Sequence, residues 1–290
     1  MKSYARHVWT HLFILLLSVS VALIQQNAAS AQSMRGCQDE LDQLLAPIAL
    51  YPDVLLSQIL MASTYPLEIG DAAHWSRANP DVKGDQAVMA VEQKNWDPSV
   101  KSLVAFPQIL VMMDEKPDWT ERLGSAFLGK QSQVLDKVQY LRQRAQDAGN
   151  LKSNDQIRVV RQGAAIIVEP ANPQLIYVPY YDPSVVYGPW LSAYPPVYWA
   201  PWPGYRFVDR LAWDNGIMTG GEYFFGGFDW PRRHVHVIDV NKYSHLKGMR
   251  DRIRPDFRDQ QWMPGGPPVI WQHNPEHRLG LPYREMTQCR

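Results

Sequence analysis

Three polar side chains in the first third of the chain have the residue types and the spacing of an acid–base group. Glu68, Asp71 and His74 recur at intervals of three, so a helix would place them on one face. A carboxylate at that spacing could orient the imidazole of His74 for proton transfer. The alternative is a solvated or capping helix face beside Trp75, and we favour it because charged helix positions usually face water.

A second group consists of histidines with the alternation of a strand. His234 and His236 lie two residues apart and would share one face, with His245 within plausible reach. Such a pair can bind a metal ion, but a complete ligand set needs further members that the sequence does not place. His273 and His277 flank an Asn-Pro pair, where no helix would align them. We therefore favour a polar strand face and predict no metal and no other cofactor.

The two cysteines, Cys37 and Cys289, stand near opposite ends of the chain. In an oxidising compartment they would form a disulfide that closes nearly the whole chain, or remain two free thiols. The sequence leaves both alternatives open. Catalysis by either thiol would need a depressed pKa, and both cysteines lie at the extremities of the chain.

The standard catalytic and cofactor motifs are absent. The chain has no Gly-x-Ser-x-Gly, His-Glu-x-x-His, Cys-x-x-Cys, phosphate-loop or Gly-x-Gly-x-x-Gly sequence. Its 29 lysines and arginines equal its 29 aspartates and glutamates, so no overall charge attracts it to nucleic acid. We accordingly favour a protein that is not an enzyme and does not bind nucleic acid.

The N-terminus has the pattern of a secretory signal peptide. Lys2 and Arg6 precede an uncharged apolar run at residues 12–24, which is shorter than the roughly 20 residues of a membrane span. Ala29-Ser30-Ala31 supplies the small-x-small cleavage pattern, so we predict Gln32 as the mature N-terminus. The mature chain is then exported to the periplasm or the exterior, without a transmembrane span.

The hydrophobic pattern changes from helical to strand-like near residue 150. Asp97-Pro98 predicts a helix start, and Pro107 predicts a helix break. After Gln156, short branched runs between turn residues predict antiparallel strands at 157–161, 164–169, 175–179 and 185–188. We predict an α+β fold, with a helical N-terminal domain before a small antiparallel β, aromatic and Pro-rich C-terminal part. The expected boundaries are a signal peptide at 1–31, a helical domain at 32–150, a β-meander with the aromatic segment at 151–231, and a basic, partly irregular region at 232–290.

Aromatic residues are concentrated in one segment. Between Tyr177 and Trp230 lie 17 of the 33 aromatic residues, interleaved with prolines. Rings exposed on a proline-braced loop could stack on sugars or hold a proline-rich partner. The alternative, which the composition favours, is that most of these rings form the core. The candidate binding residues are Trp190, Tyr194, Tyr198, Trp199, Trp202 and Tyr205.

Five sequence blocks together resemble a known family. They are LAPIALYPD at 45–53, QILMASTYP at 58–66, NWDPSVKSL at 95–103, YVPYYDP at 177–183 and WQHNPEHR at 271–278. In these blocks the chain resembles a bacterial exported family known as domain of unknown function 3300. The resemblance implies export, but it implies no reaction and no catalytic residues.

These observations favour an exported cell-envelope protein that acts as a non-enzymatic binding or structural module. The expected partner is an envelope protein or a glycan, contacted by the aromatic segment. The alternative is a cell-wall or polysaccharide hydrolase, which would need two carboxylates facing each other across a cleft.

Overall fold

The computed structural model describes residues 35–208, 210–219, 226–237 and 269–284. The predicted signal peptide, Cys289 and His245 lie outside the described residues. The described part contains no helix that is both long enough and apolar enough to cross a bilayer.

Prolines mark the starts of several helices in the first half of the described chain. Pro66, Pro98, Pro107 and Pro117 each occupy the first helical position, where their fixed φ fits and the missing N–H is no loss. Asp97 caps one of these helices, since its carboxylate accepts the N–H of Ser99 at 2.9 Å. The helices are α1 (residues 35–45), α2 (Asp53–Ala62), α3 (Pro66–Ala78), α4 (Gly84–Ala90), α5 (Pro98–Leu103), α6 (Pro107–Glu115) and α7 (Pro117–Asp147).

The predicted helix break at Pro107 is confirmed, because α5 ends at Leu103 and α6 begins at Pro107 itself. The last of these helices, α7, is followed by Gly149, whose φ of 75° favours glycine and ends the helix. Helix α7 bends at Lys130, whose φ and ψ are not helical.

The second half of the described chain forms short antiparallel strands. A hairpin joins the two longest, with Gln162 paired to Ala165 around Gly163. The strands are β1 (Ile157–Gln162), β2 (Ala165–Pro170), β3 (Leu175–Ile176), β4 (Pro179–Tyr181), β5 (Arg206–Val208), β6 (Leu211–Trp213), β7 (Ile217–Met218), β8 (Gly226–Asp229), β9 (His234–Val237) and β10 (Val269–Ile270). Besides the β1-β2 hairpin, three small sheets have the strand orders β3-β7, β4-β6-β5 and β8-β9-β10. The predicted α+β fold class, helical first and antiparallel afterwards, is confirmed.

The expected strand at residues 185–188 is wrong. Residues Pro183–Val186 form a helical turn, α8, because Asp182 caps it by accepting the N–H of Ser184 at 2.8 Å. Pro183 then supplies the first helical φ, so the branched valines follow a helix start that overrides their strand preference. The expected strand at 175–179 is divided into β3 and the start of β4.

Helix α2 lies at the centre of the core, with eight of its ten residues buried. Two glycines allow neighbouring elements to approach it. A Cβ at Gly124 of α7 would lie 2.1 Å from the carbonyl oxygen of Ser63, and one at Gly226 of β8 would lie 2.6 Å from Cε of Met61. Both positions therefore exclude larger side chains, and strand β8 packs directly on the N-terminal helices.

A buried arginine ties the helices to the hairpin. The guanidinium of Arg142 donates to the carbonyls of Ala49 at 2.8 Å, Tyr51 at 2.9 Å and Ile166 at 2.8 Å. It also pairs with Asp53 at 2.6 Å. Because a buried arginine needs partners for its five N–H donors, this set of acceptors fixes residues 49–53 against α7.

Candidate functional site

A shallow cleft lies between the segment around Tyr51 and the aromatic segment. It encloses only about 20 Å³, which is room for about one water molecule, so it does not enclose a small-molecule ligand. None of its lining residues carries a charged side chain. They are Pro47, Tyr51, Met112, Tyr180, Tyr181, Pro183, Val197, Tyr198, Trp199 and Trp202.

Hydrogen bonds from tyrosine hydroxyls hold the two walls together. Tyr181, on edge strand β4, accepts the N–H of Leu50 at 3.2 Å, and Tyr187 donates to the carbonyl of Ala46 at 2.5 Å. Burial raises the pKa of Tyr51 and Tyr181. These hydroxyls therefore stay protonated, and the walls are uncharged at neutral pH.

Trp199 forms the floor of the cleft and is only 7% exposed. Its ring meets that of Trp119 edge-on at 5.0 Å between centroids, and the ammonium of Lys116 lies 5.3 Å from it. Its carbonyl accepts the hydroxyl of Tyr180 at 2.9 Å. The indole N–H of Trp199 has no acceptor among the described residues.

Aromatic rings on the rim are open to solvent. Tyr198 is 52% exposed and Phe207 is 61% exposed. Phe207 and Trp202 each stand edge-on to Tyr180, at 6.1 and 6.2 Å between centroids, and Tyr205 lies 5.4 Å from Trp202. The rim is thus a cluster of rings around Tyr180 rather than a set of isolated side chains.

The six candidate binding residues do not all belong to this cleft. Trp199 and Trp202 line it together with Tyr198, and Tyr205 contacts its rim. Trp190 and Tyr194 form a separate contact, in which the indole N–H of Trp190 donates to the carbonyl of Tyr194 at 2.7 Å. Trp199 is buried, so it cannot offer an exposed binding face.

Sequence reasoning missed the other half of the cleft. Pro47 and Tyr51 come from the LAPIALYPD block, and Tyr180 and Tyr181 come from the YVPYYDP block. Both blocks were apparent as sequence patterns, but nothing in the sequence indicated that they meet.

The three residues of the acid–base candidate on α3, for which we favoured a solvated or capping face, do not share one environment. Asp71 and His74 are exposed, and Glu68 is buried. Oε1 of Glu68 lies 2.7 Å from Nδ1 of His277, in the short 3-10 turn Pro275–Arg278. Burial raises the pKa of Glu68, and its bonds to Asp97 and His277 oppose that rise. The orientation of His74 by Glu68 is therefore not found.

The carboxylates near Glu68 are already satisfied. Oε2 of Glu68 accepts the N–H of Asp97 at 2.7 Å, and Oδ1 of Asp97 accepts both the N–H and the hydroxyl of Ser99, at 2.9 and 2.5 Å. Tyr65 stacks on His273 at 5.0 Å. These contacts give the carboxylates structural roles, as a cap and as a tether for residues 269–284.

The strand histidines lie where the alternation indicated, on β9. His234 has its Nε2 3.8 Å from Oδ2 of Asp229, and burial lowers the pKa of His236. Within the described residues, no group of three His, Cys, Asp or Glu side chains could hold a metal ion. His245 lies outside the described part, so its contribution stays untested.

Cys37 lies on α1, and the described residues contain no free cysteine. Its Sγ is 3.9 Å from Nζ of Lys130 and 4.0 Å from Oε1 of Gln133. Cys289 lies outside the described residues, so the pairing of the two cysteines stays a prediction.

Comparison with known proteins identifies a family and a curated relative. The family model described as "Protein of unknown function (DUF3300)" matches residues 37–273. The relative is "Uncharacterized protein YacH" of Escherichia coli (strain K12), 37% identical over 306 residues. The match covers 87% of this chain and 49% of the relative, so the chain spans about half the length of that protein. No solved structure matches.

Proposed function

The chain belongs to this family of proteins of unknown function, and from that premise we propose that it is an exported cell-envelope protein that binds a partner through its aromatic cleft. It acts as a non-enzymatic binding module. The signal-peptide pattern of residues 1–31 supports export to the periplasm or the exterior.

One observation carries the binding role: an uncharged cleft with solvent-exposed rings on its rim. Tyr198 and Phe207 leave more than half of their surface in water, although the ring cluster around Tyr180 is otherwise packed. Contiguous exposed apolar surface is characteristic of interaction sites, because covering it with a partner removes it from water. Aromatic side chains also supply much of the binding energy of protein interfaces.

The alternative hydrolase receives less support. A glycosidase needs one carboxylic acid and one carboxylate that face the substrate. Glu68 and Asp97 lie next to each other, but Glu68 is bonded through both oxygens and Asp97 caps α5. Neither is free to act as acid, base or nucleophile without losing a contact that holds the fold.

The experiment that tests the proposal is retention of the purified protein by envelope preparations in a sedimentation assay. The test variant is Tyr198→Ser combined with Phe207→Ser, because both side chains are exposed and their loss leaves the core intact. The matched control is Leu191→Ser, which removes an apolar side chain that is 72% exposed and lies outside the cleft lining.

We expect the double variant to be retained about tenfold less than the wild type, and the control to be retained normally. Thermal unfolding followed by circular dichroism checks that all three proteins fold. Equal retention of the folded double variant and the control would overturn the proposed cleft.

A further inference from the structure

We infer that Cys37 and Cys289 form a disulfide that locks the end of the chain onto helix α7. This inference goes beyond the proposed function, because it concerns a covalent modification and involves no residue of the cleft. The chain has only these two cysteines, and the described residues contain no free cysteine. Cys289 lies outside the described residues, so we infer the pairing from the described segments that lead to each cysteine.

Residues 269–284, which we call the C-terminal clasp, pack against the helices. The indole of Trp271 stands 5.4 Å from the ring of Phe127 on α7, measured between centroids. Arg278 is buried, and its guanidinium donates to the carbonyl of Thr64 at 2.8 Å. The clasp is therefore an integral part of the packed structure.

The end of the clasp and Cys37 contact the same helix. The N–H of Arg284 donates to the hydroxyl of Ser125 on α7 at 3.3 Å, and its guanidinium pairs with two acidic side chains of that helix. Farther along α7, Nζ of Lys130 lies 3.9 Å from Sγ of Cys37, and Oε1 of Gln133 lies 4.0 Å from it. Both segments that lead to a cysteine are thus fixed on one helix.

The separation of these two contacts suits the chain that must bridge it. Ser125 and Gln133 are eight residues apart, which is about 12 Å along a helix axis. Cys289 follows Arg284 by five residues, and five extended residues span about 17 Å. The Cα atoms of a disulfide lie about 5.5–6 Å apart, which adds to this reach. The length of the chain therefore allows Cys289 to meet Cys37 while the clasp stays in place.

Burial of Cys37 argues against a disulfide between two copies of the chain. Its side chain is only 5% exposed, so a second folded copy has little access to the sulfur. A disulfide within one chain would close a loop of nearly the whole mature chain. Closing so long a loop restricts the unfolded chain strongly, which stabilises the folded state in the chain-entropy account.

The disulfide forms by exchange with the disulfide of an oxidant. The thiolate of one cysteine attacks the S–S bond of the oxidant, which breaks and releases one oxidant thiol. The thiolate of the other cysteine attacks this mixed disulfide, so that the intramolecular S–S bond forms and the second oxidant thiol leaves. Two electrons pass from the cysteines to the oxidant, and their two protons end on the oxidant thiols.

The test equilibrates the purified mature protein with glutathione disulfide as the oxidant and reduced glutathione as its product. Free thiols are then alkylated, and tryptic peptides are analysed by mass spectrometry without reduction. Trypsin leaves Cys37 in the peptide 36–77 and Cys289 in the peptide 285–290. We expect these two peptides to be joined, two hydrogen atoms lighter than their sum. Two alkylated cysteines, two glutathione adducts or a dimer linked by a disulfide would overturn the inference.

Hydrogen exchange in residues 269–284 tests whether the disulfide locks the clasp. We expect dithiothreitol to quicken exchange of this segment about tenfold in the wild type, because the clasp then opens without the crosslink. Cys289→Ser should exchange as quickly as the reduced wild type and should not respond to dithiothreitol. Exchange in Asp53–Ala62 of α2 is the internal control and should stay unchanged. The same exchange rate in the oxidised and the reduced wild type would overturn the lock, and this result would leave the proposed cleft unaffected.

Discussion

Nδ1 of His277 lies 2.7 Å from Oε1 of Glu68, although the two residues are 209 positions apart. Two more bonds accompany this one: the backbone N–H of Asn274 donates to the hydroxyl of Tyr65 at 3.0 Å, and Arg278 donates to the carbonyl of Thr64 at 2.8 Å. The block around 271–278 is therefore fastened to the start of α3. Two of the sequence blocks that resemble the family, at 58–66 and 271–278, are thus in direct contact.

Substitution of His277 by alanine tests this fastening. Because Glu68 would keep its buried carboxylate and lose one partner, we expect His277→Ala to lower the free energy of unfolding by about 1–3 kcal/mol. Hydrogen exchange should quicken in residues 269–284. The matched control is Glu276→Ala, which removes an exposed side chain from the same turn. Similar hydrogen-exchange rates of residues 269–284 in both variants would show that the contact between His277 and Glu68 does not hold this segment in place.

We expect the protonation of Asp214 to make the free energy of unfolding depend on pH. Burial raises the pKa of Asp214 to about 6, although the N–H groups of Gly216 and Val178 pull it down. Between about pH 4 and pH 6 the folded state holds a proton that the unfolded state has released, so this group's contribution to stability falls as pH rises. Relative to wild type, Asp214→Asn should gain about 1–3 kcal/mol across that window.

Urea unfolding of both proteins at several pH values measures this difference. The substitution also alters the hydrogen bond that Gln108 donates to Asp214 at 3.0 Å, and this changes the stability at every pH. The test is therefore how the difference in free energy of unfolding between the two proteins changes with pH, and not its absolute value. A difference between the two proteins that stays constant from about pH 4 to 7 would contradict the raised pKa.

Arg142 should be among the least replaceable residues of the chain. Arg142→Met leaves Asp53 without its cationic partner and removes the hydrogen bonds to the carbonyls of Ala49 and Tyr51, whereas the carbonyl of Ile166 keeps the amide of Gln139 at 3.1 Å. We therefore expect the free energy of unfolding to fall by about 3–5 kcal/mol. Arg158→Met is the control, because Arg158 forms an exposed ion pair with Glu169 whose loss should cost at most about 1 kcal/mol. If both variants lost the same free energy of unfolding, the buried hydrogen bonds of Arg142 would contribute no more to stability than an exposed ion pair.

Export is testable at the predicted cleavage site. Signal peptidase requires small residues one and three positions before the cut, so Ala29→Arg should block processing, whereas Ser30→Arg should permit it. N-terminal sequencing of the protein from extracytoplasmic fractions should give Gln32 for the wild type and for Ser30→Arg. A wild-type protein that starts at Met1 in those fractions would refute cleavage.

Local signals made much of the helical part predictable. Asp97-Pro98 and Pro107 fix helix starts through neighbouring residues, so sequence alone located them. The strand predicted at residues 185–188 was wrong because the capping side chain of Asp182 outweighs the strand preference of the valines that follow. Capping is as local as β-propensity, and here it was the stronger signal.

The site was only partly predictable, because it depends on contacts between distant residues. The aromatic excess pointed to Trp199 and Trp202, but Pro47 and Tyr51 join them only through the fold. Glu68 was singled out for its spacing to His74, whereas its partner is His277. Periodicity describes which residues share a face and carries no information about which face meets which.

The most direct test of the binding role is site-specific photo-crosslinking in living cells. A photoreactive phenylalanine analogue replaces Tyr198 on the rim of the cleft or, as the control, the exposed Tyr140 on α7. We predict a discrete adduct from position 198 that is absent from position 140 and is lost when Trp202→Ala is added. No adduct from position 198, or the same adduct from both positions, would contradict a binding module that acts through its aromatic cleft.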